Sequence, residues 1–409
     1  MTLPLFIPDY SEFAPGKTSV LYSGPFWNQG EINAAIRALT EGKWLTAGEE
    51  VAKFQRQFAK RFNVEHAHMV NSGSSANLVM IAALKKALGW KNGDEIICSP
   101  VGFPTTIAPI IQCGLRVVFA DIELDTLNFD LNQVERAITP RTRGIFISPV
   151  LGNPPNIDRL LGMGKLLIGD NCDSLGTLWH GQLWTDFCYA WSTSFYGAHH
   201  LCTGEGGMVC CDDKEIIDLA QSFSWWGRSC YCVGAANTLP CGTCKKRFSN
   251  WLGDDTVVDH KYVFDNMGYN LKPLDLQGAI GLEQLKKFDE IERKRREHFK
   301  VIAGFFAGNE RVRVARTEEG ADPSWFGVPL ICDSQATKES LVQHFEAHKI
   351  QTRPYFAGNL LRHPAYRHLA NADKFPFADC ALKRVFFLGC PPHYNSAVLA
   401  YIGDVFRKW

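Results

Sequence analysis

The sequence predicts an α/β fold with a mostly parallel sheet, and two observations lead to this class. Continuous apolar runs, typical of buried strands, alternate with amphipathic stretches typical of helices, as in parallel sheets covered on both faces. The chain has 409 residues, more than one ordinary domain, which indicates a large and a small lobe.

The predicted elements follow in a regular order. The expected strands are EIICSP (95–100), LRVVFADI (115–122), RGIFISPV (143–150), KLLIGDNC (165–172) and MVCC (208–211). The expected helices include SSANLVMIAALKKAL (74–88) and PTTIAPIIQCG (104–114). The segment 274–306 has helical periodicity and a charged second half, which fits a helix that leaves one lobe for the next. We therefore expect a large domain over 1–300, with a short N-terminal arm, and a small C-terminal α/β domain over 301–409.

Composition and charge exclude several classes of protein. Lys plus Arg equal Asp plus Glu at 43 each, so no global field attracts nucleic acid or an anionic membrane. No uncharged apolar run is long enough to span a membrane, and residues 1–25 lack the pattern of a signal peptide. We expect a cytoplasmic protein without a nucleic acid or membrane partner.

The chain has 14 cysteines, and in a reducing compartment these predict thiols, metal ligands or catalytic groups before disulfides. Most lie in apolar surroundings and predict small buried side chains. Cys230, Cys232, Cys241 and Cys244 differ, because they fall within 15 residues among Gly, Pro and Asn. From spacing alone, structural zinc and an iron-sulfur cluster are equally good predictions for the loop 228–248.

Three features lie at predicted strand ends or helix starts, where open parallel sheets bind ligands. NSGSSAN (71–77), with Gly73 and Ser74, offers amides and hydroxyls to a phosphate, and a plain serine cap explains it equally well. Asp170 ends a strand, where a carboxylate either pairs with a pyridinium nitrogen or caps the strand. Phe103 either stacks on a planar ring or belongs to the core.

The segment SFYGAHHLCTGEGGMV (194–209) resembles the lysine loop of sugar aminotransferases, with His199 in the position of the lysine. Further matching segments, in order, are GKWLTAGEEVAKFQRQFA (42–59), NSGSSAN, GFPTT, GDNCDSLG (169–176), GYNLKPLDLQGAIGLEQL (268–285) and TRPYFAGNLLRHPAY (352–366). From about residue 20 to 405 the chain resembles the DegT/DnrJ/EryC1/StrS family. Within it, the chain is most similar to the CDP-4-keto-6-deoxy-D-glucose 3-dehydrases. The resemblance implies a fold type I pyridoxal phosphate (PLP) transferase of the aspartate aminotransferase kind.

The histidine changes the expected chemistry. A lysine amine forms a Schiff base with the cofactor aldehyde and an imidazole cannot, so His199 implies non-covalently held pyridoxamine 5′-phosphate (PMP). Imidazole instead suits proton transfer near neutral pH. The CDP-4-keto-6-deoxy-D-glucose 3-dehydrases also carry a 2Fe-2S cluster, whereas one relative lacks it, and the cysteine set here favours iron-sulfur over zinc.

The resemblance implies the cluster ligands Cys172, Cys230, Cys232 and Cys244. In the dehydrases one ligand lies two residues beyond the cofactor aspartate, and 57 residues separate it from a Cys-x-Cys pair. The same spacing begins here at Asp170. The fourth ligand has two candidates, because the family's usual gap of seven residues ends at Pro240 and not at a cysteine. Counting back from the KRF motif selects Cys244, with Cys241 as the alternative.

Other positions carry over from the family one by one. The implied cofactor contacts are Gly73, Ser74, Phe103, Asp170, Asp173, Ser194 and, from the neighbouring subunit of a homodimer, Asn270. The implied catalytic residues are His199, Asp170 and Tyr196, and the implied sugar-nucleotide contacts are Arg353, Asn359 and Arg362. Guanidinium groups bind diphosphates well, and the alternative for all three residues is a solvated surface without a ligand. At the positions of Asp173 and Tyr196, the dehydrases have Asp and Tyr. The aminotransferases more often have His or Gln at the first position and His at the second.

The resemblance therefore implies PMP-dependent removal of the C3 hydroxyl from a nucleotide-linked 4-keto-6-deoxyhexose in deoxysugar biosynthesis. Electrons would come through the cluster from a separate flavin or ferredoxin-type reductase. Three alternatives stay open: a sugar aminotransferase, a dehydrase with structural zinc, and a non-catalytic cofactor-binding sensor on the same fold.

Overall fold

The computed structural model describes residues 10–230 and 246–409 of the chain. In chain order its strands are β1 His66–Val70, β2 Glu95–Cys98, β3 Arg116–Phe119, β4 Thr142–Ile147, β5 Leu166–Asp170, β6 Leu178–Trp179, β7 Gln182–Leu183, β8 Ala190–Ser194, β9 Gly207–Cys211, β10 Val312–Val314, β11 Ala321–Asp322, β12 Gly327–Cys332, β13 Thr352–Pro354 and β14 Val385–Gly389. Its α-helices are α1 Gln29–Thr40, α2 Glu49–Arg61, α3 Gly73–Ala87, α4 Pro104–Gln112, α5 Leu131–Ala137, α6 Ile157–Gly162, α7 Lys214–Ser224, α8 Asp275–Lys286, α9 Phe288–Phe305, α10 Gln335–Ala347, α11 Pro376–Arg384 and α12 Ser396–Arg407.

A seven-stranded sheet forms the centre of the large lobe, in the order β1-β9-β8-β5-β4-β2-β3. Strands β8, β5, β4, β2 and β3 pair in parallel, whereas β9 runs antiparallel to both of its neighbours. The strands expected at 95–100, 115–122, 143–150, 165–172 and 208–211 are all present, so the predicted α/β class is confirmed. The carboxyl ends of the parallel strands meet at one edge, which is where such sheets bind ligands.

Two helix starts lie at this edge. Helix α3 follows β1, and the hydroxyl of Ser72 caps it by accepting the Ser75 amide at 3.1 Å. Helix α4 follows β2 and begins at Pro104, whose fixed φ and missing amide proton suit the first turn of a helix. Both helix starts thus present their unpaired amides beside the strand ends.

The sequence predicts one helix over the periodic segment 274–306, but the segment forms two helices. Helix α8 ends at Lys286 and α9 begins at Phe288, with the Lys287 amide closing the last turn onto the Gln284 carbonyl at 3.0 Å. The break arises because the two helices bury different surfaces. Helix α8 packs closely on α2, since a Cβ at Gly278 would lie 2.4 Å from the Val51 nitrogen, whereas α9 buries a single stripe.

The C-terminal lobe contains the antiparallel sheet β10-β12-β14-β13. Its core also includes Tyr10 and Val20, and Val20 pairs with Ile350 in an isolated bridge. The described N-terminal residues therefore pack on the C-terminal lobe, while the boundary at 300 stays a prediction. No described helix has the length and apolar character needed to cross a membrane.

Candidate active site

A cavity of about 590 Å³ opens at the carboxyl edge of the parallel strands. Ten of the predicted site residues line it: Gly73, Ser74, Phe103, Asp170, Cys172, Asp173, Ser194, Tyr196, His199 and Arg353. The sheet topology brings them together, because β5, β8 and the loop between β1 and α3 end at the same edge. The cavity is the natural place for a ligand that several of these loops contact.

Asp170 lies at the end of β5 and is buried. Its Oδ2 accepts hydrogen bonds from Asn77 Nδ2 at 2.9 Å and from Thr106 Oγ1 at 2.7 Å, and its Oδ1 accepts the Cys172 amide at 3.3 Å. These three hydrogen bonds hold the Asp170 carboxyl group in place on the cavity wall, where it is suited to contact a cationic ring nitrogen.

The turn before α3 forms a narrow cup beside Asp170. A Cβ at Gly73 would lie 2.5 Å from the Ser194 Cβ and 3.0 Å from the Cys172 Sγ, so only glycine keeps the cup open. Ser74 lies at the mouth and donates to the Thr105 hydroxyl at 3.0 Å. Hydroxyls and unpaired amides at the start of a 15-residue helix form a site suited to a phosphate.

His199 is held in one tautomer by the main chain. Its Nδ1 lies 2.6 Å from the Cys172 carbonyl oxygen, and because a carbonyl only accepts, Nδ1 carries the proton and Nε2 keeps its lone pair. Its ring also contacts those of Tyr196 and Phe326, with centroids 6.1 and 5.5 Å away. Burial lowers the pKa of His199 to about 4. The imidazole is therefore a neutral proton acceptor at physiological pH.

The neighbours of His199 differ in their surroundings. Asp173 is buried, and this burial together with the Asp170 charge raises its pKa to about 7; its Oδ1 lies 3.8 Å from His199 Nδ1. Tyr196 is half-exposed on the cavity wall. His200 does not line the cavity, since its buried ring bonds the Ser324 carbonyl through Nε2 at 3.0 Å. Of the His-His pair, only His199 faces the ligand space.

The predicted sugar-nucleotide contacts separate into two groups. Arg353 lines the cavity, with its guanidinium carbon 4.1 Å from the centre of the Tyr22 ring. Asn359 and Arg362 do not line it, because both side chains bind Asp379 and Arg362 also pairs with Asp373. The geometry gives no support to Asn359 and Arg362 as substrate contacts, and that role stays a prediction.

Asn270 is exposed on a segment outside the cavity of its own chain. Its main chain bridges to Trp225, and its side chain accepts from Lys272. The prediction that Asn270 completes the site of a second subunit is compatible with this exposure and is otherwise untested.

The predicted cluster ligands are described in part. Cys172 lines the cavity, and burial beside Asp170 raises the pKa of its thiol well above the usual value. Cys230 is buried at the end of the described segment, whereas Cys232, Cys241 and Cys244 lie outside the described residues. Within 10–230 and 246–409, no three His, Cys, Asp or Glu side chains are grouped as a metal site. The ligand set therefore stays a prediction.

Part of the cavity wall consists of residues that the sequence did not predict. The additional lining residues include Tyr22, Ser148, Glu205, Phe326, Phe356 and Phe387. The glutamate lies within the matched lysine-loop segment and Phe356 within the matched 352–366 segment, so both had a signal. Tyr22 and Phe326 lie in stretches without a motif, and only the packing of the C-terminal lobe brings them to the site.

Known proteins share this architecture. The chain is 36% identical over 403 residues to dTDP-4-dehydro-2,6-dideoxy-D-glucose 3-dehydratase of Saccharopolyspora spinosa, covering 95% of this chain and 86% of that protein. It is 35% identical over 413 residues to the lipopolysaccharide biosynthesis protein RfbH of Salmonella typhimurium, covering 97% and 93%. The solved E. coli GDP-4-keto-6-deoxy-D-mannose-3-dehydratase with bound hydrated PLP has a TM-score of 0.83 at 30% identity, covering 95% of this chain and 99% of that one.

These matches confirm a fold of the PLP-dependent type I class. A family model described as the DegT/DnrJ/EryC1/StrS aminotransferase family matches residues 28–407, and this chain therefore belongs to the DegT/DnrJ/EryC1/StrS family.

Proposed function

We propose that this chain is a 3-dehydratase of a nucleotide-linked 4-keto-6-deoxyhexose in which His199 is the proton acceptor. The observation that carries the proposal is the hydrogen bond of 2.6 Å from His199 Nδ1 to the Cys172 carbonyl. It leaves Nε2 of a neutral imidazole free to take a proton, at the position where the related aminotransferases have lysine. The similarity to proteins named as 3-dehydratases supports the same assignment.

The cavity fits PMP as the cofactor. The start of α3 with Ser74 and Ser194 would hold the phosphate, Asp170 would hold the pyridinium nitrogen, and Phe103 would contact the ring. When bound, the cofactor supplies an amine for the sugar's 4-keto group and a ring that accepts an electron pair. The relative with bound hydrated PLP supports this choice.

The residues of the chain would then orient the reactants and move protons. His199 Nε2 would accept a proton from the cofactor's methylene group, and Asp170 would hold the protonated ring nitrogen. Tyr196, whose ring lies 6.1 Å from that of His199, provides a phenol donor for the departing C3 hydroxyl. Arg353 at the cavity wall is the cation available to the substrate's diphosphate.

We extend the proposal to a 2Fe-2S cluster held by Cys172, Cys230, Cys232 and Cys244, in a homodimeric enzyme. Replacing the C3 hydroxyl by hydrogen consumes two electrons and two protons and releases water, so elimination alone does not complete it. A cluster passes electrons singly, and a separate flavin or ferredoxin-type reductase would supply them. The position of Cys172 on the cavity wall supports this arrangement.

A product assay tests the reaction. The anaerobically purified protein, loaded with PMP, is incubated with 4-keto-6-deoxyhexoses linked to CDP, GDP, dTDP or UDP, together with a reductase and NADH. We expect a 4-keto-3,6-dideoxyhexose from one of them, detected by NMR. An amino sugar formed from glutamate, with cofactor that borohydride fixes to the protein, would contradict the proposal and indicate an aminotransferase.

Metal analysis tests the cluster separately. We expect iron, with visible absorbance that dithionite bleaches, and Cys172→Ala should lose both, because thiolates hold the irons. Loss of the C3 hydroxyl should survive in this variant while net deoxygenation fails. Cys241→Ala is the matched control and should keep its iron. Zinc in place of iron, or iron retained in Cys172→Ala, would contradict the ligand set.

A further inference from the structure

Helix α9 carries one arginine whose surroundings differ from those of its neighbours. Arg293 and Arg296 lie at the surface and pair with Glu297 and Glu292. Arg295 is only 1% exposed. Its position in the buried stripe of the helix is one that an apolar residue would usually occupy.

The Arg295 guanidinium bonds the carbonyl oxygens of two residues next to His199, one in sequence and one in space. Nη2 donates to the carbonyl of Ala198, the residue before His199, at 3.3 Å, and Nη1 donates to that of Phe326 at 3.1 Å. The Phe326 ring lies against the His199 ring. A single rigid side chain therefore joins the loop that carries the imidazole to the residue that packs on it.

Stability alone does not explain this side chain. A buried cation loses its hydration, and within the described residues the Arg295 Nε–H has no hydrogen-bond partner. Replacing such buried charges with packed apolar groups is often neutral or stabilising. A group that is expensive to bury and that bonds both neighbours of a proton acceptor points to a role in geometry.

We propose that Arg295 is a positioning residue, which fixes the His199 imidazole by bonding the carbonyls of Ala198 and Phe326 from behind the cavity. The inference rests on the proposed function, in which His199 is the proton acceptor. The planar guanidinium reaches both oxygens with separate nitrogens, which the single ammonium of a lysine does less well.

Exchange of the PMP methylene protons with deuterated solvent tests the role and is followed by NMR. The nucleotide-linked 4-keto sugar must be present, because its condensation with the cofactor amine makes these protons acidic. Arg295→Met should slow the exchange by about tenfold to a hundredfold, because a displacement of about 1 Å at a catalytic group has an effect of this size. The affinity for PMP should stay near that of the wild type, since Arg295 does not line the cavity. Arg293→Met, on the same helix but at the surface, is the matched control and should exchange normally.

A second readout does not depend on turnover. In protein labelled with ¹⁵N-histidine, the His199 signals, assigned by their loss in His199→Asn, should show a protonated Nδ1 in the wild type. Arg295→Met should shift these signals towards a mixture of tautomers. If Arg295 only contributed to packing away from His199, the His199 signals would stay unchanged in Arg295→Met.

Two outcomes would overturn the inference. The first is wild-type exchange and unchanged His199 signals in folded Arg295→Met. The second applies where Arg295→Met does not fold: Arg295→Lys keeps the charge but not the paired bonds, and wild-type exchange there would also contradict the proposal. Normal exchange in His199→Asn is a different result, because it would contradict the proposed function itself.

Discussion

The cavity has two walls that hold their polar groups in different ways. On the wall built by the parallel sheet, Asp170 accepts three hydrogen bonds from neighbouring elements, and His199 is bonded to the main chain after β5. On the wall built by the C-terminal lobe, aromatic rings predominate, and the Arg353 guanidinium donates to its neighbour Thr352 and stacks on Tyr22.

This difference indicates that the sheet wall serves the chemical step and the lobe wall serves substrate binding. Groups that carry out chemistry must be held within a fraction of an ångström, and the strand ends with their shared hydrogen bonds provide that rigidity. A wall of aromatic rings with one extended cation can accommodate substrates of several shapes. We therefore expect changes to the sheet wall to affect rate and changes to the lobe wall to affect substrate affinity.

Among Asp170→Asn, Arg353→Met and Tyr22→Leu, the first should have the largest effect. Replacing the carboxylate that would hold the cofactor's ring nitrogen should slow methylene exchange, measured with the nucleotide sugar present, by roughly 10²–10³-fold, the range for losing one preorganised electrostatic group. PMP affinity should fall too, which absorbance titration measures. Asp158→Asn, a carboxylate outside the cavity that bonds Trp179 and His180, should leave both quantities unchanged. Equal effects of the two substitutions would show that the position of Asp170 on the sheet wall does not matter for the rate.

An arginine pair tests the lobe wall. Arg353→Met should raise the KM for the nucleotide sugar by about tenfold to a hundredfold, as for the loss of hydrogen bonds to a charged partner, with little change in kcat. Arg362→Met should leave KM unchanged and lower the melting temperature slightly, since its guanidinium pairs with Asp373 and Asp379. A raised KM for Arg362→Met would show that this side chain reaches the substrate in the complex.

The smallest effect should come from Tyr22→Leu. Loss of the ring that stacks on Arg353 removes a cation–π contact of about 0.5–1 kcal/mol between two partly exposed side chains, so KM should rise by about two- to fivefold. Combining it with Arg353→Met should add little, because both changes act on one interaction. If the effects of the two substitutions on KM were fully additive in free energy, Tyr22 and Arg353 would act independently of each other.

The sheet wall was predictable from the sequence, because apolar strands and motif spacing place Asp170 and Ser194 at the same edge. The lobe wall was predictable only in part. Asn359 and Arg362 belong to a matching segment, yet Asp379 binds both side chains, and a match of segments does not predict which way a side chain points. Tyr22 reaches the cavity from an N-terminal stretch that packs on the far lobe, and no local pattern marks such a contact.

The break between α8 and α9 was missed for a similar reason. Helical periodicity continues through 274–306, but Gly278 and Gly281 bring α8 into close contact with α2, whereas α9 turns towards the C-terminal lobe. The direction of each helix depends on its tertiary partners, which periodicity alone does not encode.

The most direct test of the central claim compares the two adjacent histidines. With the nucleotide-linked 4-keto sugar present, solvent deuterium uptake at the PMP methylene should fall by about 10²–10⁴-fold in His199→Asn, the usual contribution of a general base, with PMP still bound. His200→Asn should exchange near the wild-type rate, because its imidazole bonds the Ser324 carbonyl outside the cavity. Normal uptake in His199→Asn together with loss of uptake in His200→Asn would contradict the account and identify His200 as the base.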